Sequence, residues 1–312
     1  MAVDWSGQVM TVTGAKDPGE LGITHSHEHV FWDYFQMIRS YDVIFDDETV
    51  AIREVGLFKE AGGGTLVDCT NVGIGPRPDA LRRVSLATGV NIVAGSGWYR
   101  KPVYVDDVYR KTSYELSEML IGEITDGFGD TGVRAGFIGE IGTERGNVRA
   151  SEERVFLAAA RASVQTGAPI WTHTTHFGEL ALDQIDILER AGVSPDQIVI
   201  SHLGDLEDTS RIMAIARRGA YLSIDNIGYT GEGYPNDDIR LASVLALLEA
   251  GYGDQVVLGT DIGTRSALKS YGGRGFAWLI ENFIPAMRKA GVSEDDVRRL
   301  TETNVARALT FR

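Results

Sequence analysis

Short apolar runs alternate along this chain with longer stretches of helical spacing. Residues 8–13 (Gln-Val-Met-Thr-Val-Thr) alternate and then meet Gly14, which predicts a short hairpin strand at the bottom of the fold. Leu21-Gly22-Ile23 leads next into His25-Ser26-His27-Glu28-His29. An aromatic segment, 31–45, is too irregular for a clean helix. A rhythm then sets in. A helix over 48–61 stops at Gly62-Gly63-Gly64, and a β-rich run follows at 65–69. Further helices are predicted over 76–88, 113–127, 151–166, 178–191, 208–218 and 237–250. Further strands are predicted over 90–94, 133–141, 168–173, 197–202, 220–225 and 255–261. Glu152 and Glu153 suit the positive end of their helix. Two helices, 274–290 and 293–309, close the chain.

Counted from the histidine run, the strands number eight, and helices follow most of them. Short apolar strands alternating with helices imply a parallel sheet with right-handed crossovers. The expected fold is α/β, a TIM (β/α)8 barrel with a short N-terminal β-hairpin, forming one domain over residues 1–312. An open doubly wound sheet would need a strand–GxGxxG–helix fingerprint after its first strand, and none is present. No linker, low-complexity tract or residue-level repeat divides the chain.

A hydrophobic content of 43% and a charged content of 24% are ordinary for a globular protein. The net charge of −14 argues against nucleic acid and anionic membrane surfaces as partners. No apolar run approaches the roughly 18 residues of a membrane span. No basic stretch followed by an apolar one marks a signal peptide, so a cytoplasmic location is expected. The lone cysteine, Cys69, excludes an internal disulfide and a cysteine-rich metal site; its apolar surroundings predict a buried thiol.

Three of the six histidines, His25, His27 and His29, fall within five residues, and the others are His173, His176 and His202. Side chains two apart on a strand share a face, so His25, His27 and His29 would point together unless a turn after His27 redirects the last. Imidazole nitrogens suit zinc, iron, cobalt or nickel. A barrel builds its active site at the C-terminal ends of its strands. His27 and His29 end the first strand, Glu140 lies near the end of the fourth, and His173, His202 and Asp261 end the fifth, sixth and eighth. Four nitrogens and two carboxylates exceed what one tetrahedral zinc needs. They suit two metals with a bridging carboxylate and a bridging hydroxide.

These residues carry a resemblance. Gly22-Ile23-Thr24-His25-Ser26-His27-Glu28-His29 resembles the first signature of the phosphotriesterase family of the amidohydrolase superfamily. Thr172-His173-Thr174, Ser201-His202-Leu203-Gly204-Asp205 and Gly259-Thr260-Asp261 are similar to its later ones, and the likeness runs from about Thr11 to Phe311. The resemblance implies that His27, His29 and Asp261 bind a more buried metal and that His173 and His202 bind a more exposed one. Zinc is the leading ion, with manganese, cobalt or iron as alternatives. Much of the family bridges its metals with a carboxylated lysine on the fourth strand, where this chain has none. Glu140, one place later, resembles the bridge of the phosphotriesterase-homology branch and requires a local backbone adjustment; an N-cap or salt-bridge role is the alternative. Asn226 stands after Asp225 where some relatives place a relay histidine, with Asp205 at the relay's acidic end, which argues against efficient organophosphate hydrolysis.

Two divalent metals would generate hydroxide at neutral pH, with Asp261 as the catalytic proton acceptor. The expected activity is hydrolysis of a lactone or carboxylic ester, with an N-acyl amide and then a phosphotriester as alternatives. A catalytically silent barrel that binds a small molecule is the non-enzyme alternative. His176, Trp98, Tyr99, Arg265 and Tyr271 are the candidate substrate contacts. Each also fits ordinary loop packing or solvation. Arg265 and the neighbouring Lys269 resemble the anion-holding loop of relatives that act on phosphorylated sugar lactones. The Gly-rich segment 228–234 reads as a mobile lid. The expected partners are a small-molecule substrate and a second copy of the chain in a homodimer.

Overall fold

Alternation closes a hairpin at the start of the chain, β1 (Val9–Thr11) against β2 (Gly14–Lys16). The computed structural model describes residues 5–175, 177–231 and 233–312. The histidine run forms β3 (Ile23–Glu28). The aromatic segment after it folds into a second small hairpin, β4 (Trp32–Asp33) with β5 (Ile44–Phe45). From there α1 (Glu48–Glu60) leads to β6 (Gly63–Asp68), and α2 (Pro78–Thr88) to β7 (Asn91–Ser96). Next, α3 (Asp106–Arg110) and α4 (Ser113–Thr125) lead to β8 (Phe137–Thr143), and α5 (Ala150–Thr166) to β9 (Ile170–Thr174). Then α6 (Ala181–Arg190) leads to β10 (Ile198–Ile200), α7 (Thr209–Ala216) to β11 (Tyr221–Ile224), and α8 (Asp237–Glu249) to β12 (Val256–Leu258).

The eight strands β3, β6, β7, β8, β9, β10, β11 and β12 lie side by side in chain order, paired in parallel, in a nearly closed (β/α)8 barrel. The last strand meets the first through the Asp261 N–H, which donates to the His27 carbonyl at 3.1 Å. Period-two alternation fills the barrel. Val67, Val93, Phe137, Trp171, Val199, Tyr221 and Val257 come from seven strands and form one buried cluster. Their strand neighbours Leu66, Ile92, Ile138, Ile170 and Leu222 belong to the two clusters that contain the helix residues. Burying each such side chain contributes about 1.5–3 kcal/mol. No helix of the described residues is long and apolar enough to cross a membrane.

The structure moves several predicted boundaries. The fourth barrel strand starts at Phe137 rather than 133, because Ala135 N–H donates to Glu123 of α4 instead of to a strand. The helix predicted from 178 starts at Ala181, after a turn in which Phe177 has φ +53°. The helix predicted over 274–290 begins only at Leu279, with one wide π turn to Phe283, followed by α9 (Ile284–Lys289). Pro285 has no N–H for the regular ladder, which fits the widened turn. Arg274 is thereby left in a loop. The last predicted helix is α10 (Glu294–Arg298) and α11 (Asn304–Leu309) joined by a second π turn.

One local departure places the site. Ile138 pairs with Ile170 and Ile141 with Thr172, so β8 advances three residues while β9 advances two. The extra residue is a bulge at Gly139–Glu140. Gly139 has φ +144°, and a Cβ there would lie 2.3 Å from the Trp171 carbonyl oxygen. Only glycine fits. The bulge is the backbone adjustment that a glutamate at position 140 requires to face the barrel mouth. Gly139→Ala should therefore lower stability by at least about 2 kcal/mol. Gly122→Ala, in α4 where a Cβ would meet no atom within 4 Å, should raise it by about 0.5–1 kcal/mol. Thermal unfolding followed by circular dichroism checks both signs.

Candidate metal centre

The first strand also carries a bulge. His25 pairs with Leu66 and Glu28 with Asp68, three steps against two. The Trp171 indole N–H holds the Ser26 carbonyl inside this bulge at 2.9 Å. The expectation that His25, His27 and His29 share a face is corrected accordingly. His25 turns toward α1, its ring edge-on to Phe58 with centroids 4.7 Å apart, and its Nδ1 lies 2.7 Å from Glu28 Oε1. His27 and His29 face the barrel mouth instead.

There they meet side chains from four other strands. His27 Nε2 lies 3.4 Å from Glu140 Oε2 and 3.7 Å from Asp261 Oδ1. His29 Nε2 lies 3.6 Å from Glu140 Oε1 and 3.2 Å from Asp261 Oδ1. On the other side, His173 Nδ1 and His202 Nε2 lie 3.0 and 3.5 Å from Glu140 Oε2 and 2.8 Å from each other. Three groups within metal-binding reach result: His27–His29–Glu140, His27–His202–Asp261 and Glu140–His173–His202. Glu140 belongs to two of them and stands between the histidine pairs.

Surrounding residues fix which nitrogen faces inward. The Thr70 hydroxyl donates to the Phe31 carbonyl at 2.8 Å, so it accepts from His29 Nδ1 at 2.9 Å and leaves Nε2 as the lone-pair nitrogen. The Asp225 carboxylate accepts from the backbone N–H of His202 at 2.9 Å and from its Nδ1 at 3.1 Å, which frees His202 Nε2. His27 Nδ1 faces Ser201 Oγ at 3.2 Å, and its Nε2 is buried with no hydrogen-bond partner. Hydrogen bonds of this kind from behind orient the imidazoles of metal sites. An orphaned, buried, inward-facing nitrogen among carboxylates fits a cation.

The electrostatics show a demand for positive charge here: against burial, which alone would lower them, neighbouring acidic groups raise the His27 imidazole well above its ordinary value and that of His202 to about 10. Burial alone would raise the Glu140 carboxyl, but the His27 and His173 imidazoles outweigh it and hold it well below the ordinary value. Burial and then the charge of His202 lower the His173 imidazole to about 4, so it is neutral at pH 7. Burial pushes the Cys69 thiol up to about 12, so a neutral thiol lies beneath His27. Cys69 is fully buried, as its apolar run predicts.

Asp261 is clamped by the first strand. Three consecutive backbone N–H groups point there: Thr260 to Glu28 Oε1 at 2.8 Å, Asp261 to the His27 carbonyl at 3.1 Å, and Ile262 to Glu28 Oε2 at 3.3 Å. The Thr260 hydroxyl donates to Glu28 Oε1 at 2.6 Å. Within this nest Asp261 holds the left-handed φ of +45° that turns its carboxylate inward. His202 and Asn226, at φ +65° and +59°, are held in the same region of backbone space at the ends of neighbouring strands. Such strained conformations cluster at functional sites.

The site opens into a cavity of about 320 Å³, lined by His29, Glu140, His173, His202 and Asp261 at its floor. Tyr99 lines it, with its hydroxyl 3.3 Å from His173 Nδ1. Trp98 does not; it is buried in the hydrophobic core. Arg265 and Tyr271 are not brought to this cavity. The Arg265 guanidinium stacks on Tyr271 and donates to its hydroxyl at 2.8 Å, beside a separate small cleft lined by Asp46, Asp47 and Glu54. Short 3-10 turns over Arg265–Ala267 and Lys269–Tyr271 hold them there. Lys269 pairs with Glu281 at 2.8 Å. His176 lies outside the described residues. Asn226 lines the cavity and donates to Asp205 at 2.7 Å, and Asp205 also pairs with buried Arg240 at 2.6 Å. Arg274, which the sequence reading placed in a helix, lines the cavity wall. The cluster Gly272-Gly273 with Gly275 was the available signal that no helix begins there.

A (β/α)8 barrel with imidazoles and carboxylates gathered at its C-terminal mouth defines a metal-dependent hydrolase. The chain belongs to the phosphotriesterase family, whose model matches residues 7–309. It is 32% identical to an N-acetyltaurine hydrolase from Tetraodon nigroviridis, across 98% of this chain and 99% of that one. Among solved structures, a resiniferatoxin-binding protein from Rhodobacter sphaeroides superposes with a TM-score of 0.92 at 30% identity, covering 97% of this chain and 95% of that one. A lactonase from Listeria monocytogenes superposes with a TM-score of 0.91 at 28% identity, covering 98% and 99%.

Replacing Glu28 by Gln keeps its shape but turns one acceptor oxygen into an NH2 group among N–H donors. This change should cost about 2–4 kcal/mol of stability and loosen metal retention through Asp261. Metal content after dialysis against a chelator, measured beside the wild type, checks it; equal retention would contradict the clamp.

Proposed function

We propose that this hydrolase holds two divalent metal ions and uses them to cleave a carbonyl-centred substrate, a lactone or carboxylic ester. One observation carries the reading: Glu140 lies within reach of both histidine pairs, with Asp261 closing the buried side. In it, His27, His29 and Asp261 would hold one ion, His173 and His202 the other, and Glu140 would serve both. Zinc suits this nitrogen-rich set, and manganese, cobalt or iron would be accepted by the same donors. When bound, the ions supply an ionised water at neutral pH and polarise the scissile carbonyl oxygen.

The chain's own residues do the rest. Asp261 takes the nucleophile's proton and returns it to the leaving group. An amide cannot pass a proton onward as an imidazole can, so Asn226 breaks the route from Asp261 to Asp205. The proton therefore leaves Asp261 on the leaving group. Such an arrangement suits leaving groups that take up a proton at the metal centre. It gives no support to efficient phosphotriester cleavage. Tyr99, beside His173, contacts the acyl portion. The second reading is N-acyl amide hydrolysis, which the full-length similarity to an N-acetyltaurine hydrolase favours. The chemistry at Asp261 is the same in both.

A hydrolysis screen of lactones, esters, N-acyl amino acids and phosphotriesters with metal-reconstituted protein separates these readings. Chelator-stripped protein should lose all turnover and regain it with zinc or manganese. Glu140→Ala should lose bound metal and at least about a hundredfold in kcat/KM, equivalent to ~2.7 kcal/mol of transition-state stabilisation. Wild-type kinetics in that variant would sink the bridging role.

A further inference from the structure

Three arginines have side chains that are mostly or wholly withdrawn from solvent around the barrel mouth, and two of them are matched by carboxylates. Arg240 is fully buried and pairs with Asp205 at 2.6 Å and Asp237 at 2.8 Å. Arg100 pairs with Glu144 at 2.5 Å and donates to the Tyr34 hydroxyl. Arg274 differs. Among the described residues no carboxylate lies within ion-pair distance of it, and its Nε, like that of Arg100, is buried with no acceptor. Its Nη2 donates to the Thr260 carbonyl at 2.8 Å, and its guanidinium packs against the Tyr229 ring at 5.5 Å. A Cβ on Gly228, which has φ +85°, would lie 2.7 Å from Arg274 Cδ. Glycine there lets the arginine settle against the chain.

A guanidinium withdrawn from water and left unpaired is costly, by several kcal/mol. Burial does pull its pKa below the usual arginine value, with Glu28 and Asp261 acting in the opposite direction from a distance. The group is nonetheless held rigidly, by one backbone bond and one aromatic face, at the wall of the cavity that opens on the metal centre. Its anchor, Thr260, is the residue before Asp261. A side chain so fixed at the wall of that cavity is arranged to receive a ligand, and the missing counter-charge defines that ligand's chemistry. Arg265, the arginine suggested by sequence, is already engaged with Tyr271.

The geometry points to Arg274 as the receptor for an anionic group of the substrate, a carboxylate, sulfonate or phosphate carried one end away from the scissile carbonyl. The substrate class is thus an acid-bearing lactone, ester or N-acyl amine rather than its uncharged counterpart. This inference rests on the reading of the cavity as the substrate site of a hydrolase.

Its test uses metal-reconstituted protein and charged/uncharged twins: N-acetylglycine with N-acetylglycinamide, N-acetyltaurine with its sulfonamide, and an O-acetyl hydroxy acid with its carboxamide. Binding is measured by calorimetry and turnover in parallel. The wild type should bind at least one charged twin roughly ten- to a hundredfold more tightly than its partner, the range of a charge-assisted hydrogen bond. Arg274→Met should erase that preference, and Arg274→Lys should retain part of it. Circular dichroism verifies that each variant folds; if Arg274→Met does not, the wild-type ratio and Arg274→Lys decide. A wild type that prefers no charged twin, or an Arg274→Met protein with the preference intact, would overturn the proposal. Charge-selective binding without turnover of any twin would leave the receptor standing and remove the reading of this cavity as the place where these acyl classes are cleaved. Turnover without charge preference would do the reverse.

Discussion

The Glu140 carboxylate is the interaction on which the barrel mouth depends. Four imidazoles from three strands lie within 3.0–3.6 Å of its two oxygens. Burying a carboxylate is costly unless it is paired, and burying ring nitrogens that face one another is costly unless something accepts their lone pairs. Neither an ionised carboxylate nor a lone-pair nitrogen can donate to the other, so cations between them would satisfy both. Gly139 exists to make this possible. The bulge it permits advances β8 by one residue and carries Glu140 to the axis, at a position where a Cβ on the preceding residue could not fit.

The opposite wall of the site is held by a different device. The carboxylate of Glu28 accepts from both residues flanking Asp261 and from the hydroxyl of Thr260. In this way the first and last barrel strands are joined through a side chain on either side of the backbone bond from Asp261 to His27. His25 caps the same carboxylate from behind. The histidine-rich stretch therefore serves two faces: His27 and His29 face inward, while His25 and Glu28 secure Asp261. A single extra residue in β3 divides these tasks.

Most of this architecture was legible in the sequence because it rests on periodicity. Apolar runs such as 65–69 and 168–173 are buried on both faces, and strand ends are where a barrel places chemistry. His27, His29, Glu140, His173, His202 and Asp261 stand at such ends, and the structure brings them together. What was not legible depends on shifts of one residue or on loop paths. A bulge turns His25 off the face that strict alternation assigns it. Short 3-10 turns carry Arg265 and Tyr271 away from the cavity. Pro285 and the glycines near Arg274 displace a helix start by five residues, from 274 to 279, and hand the cavity its unpaired cation. Helical spacing alone reads through such interruptions.

The central claim is that Glu140 joins two metal ions. The most direct measurement is diffraction from zinc-loaded crystals on either side of the zinc absorption edge. Two anomalous peaks per chain are predicted, one among His27, His29 and Asp261 and one between His173 and His202, with Glu140 touching both. A single peak, or a pair of peaks that Glu140 does not span, would contradict the account.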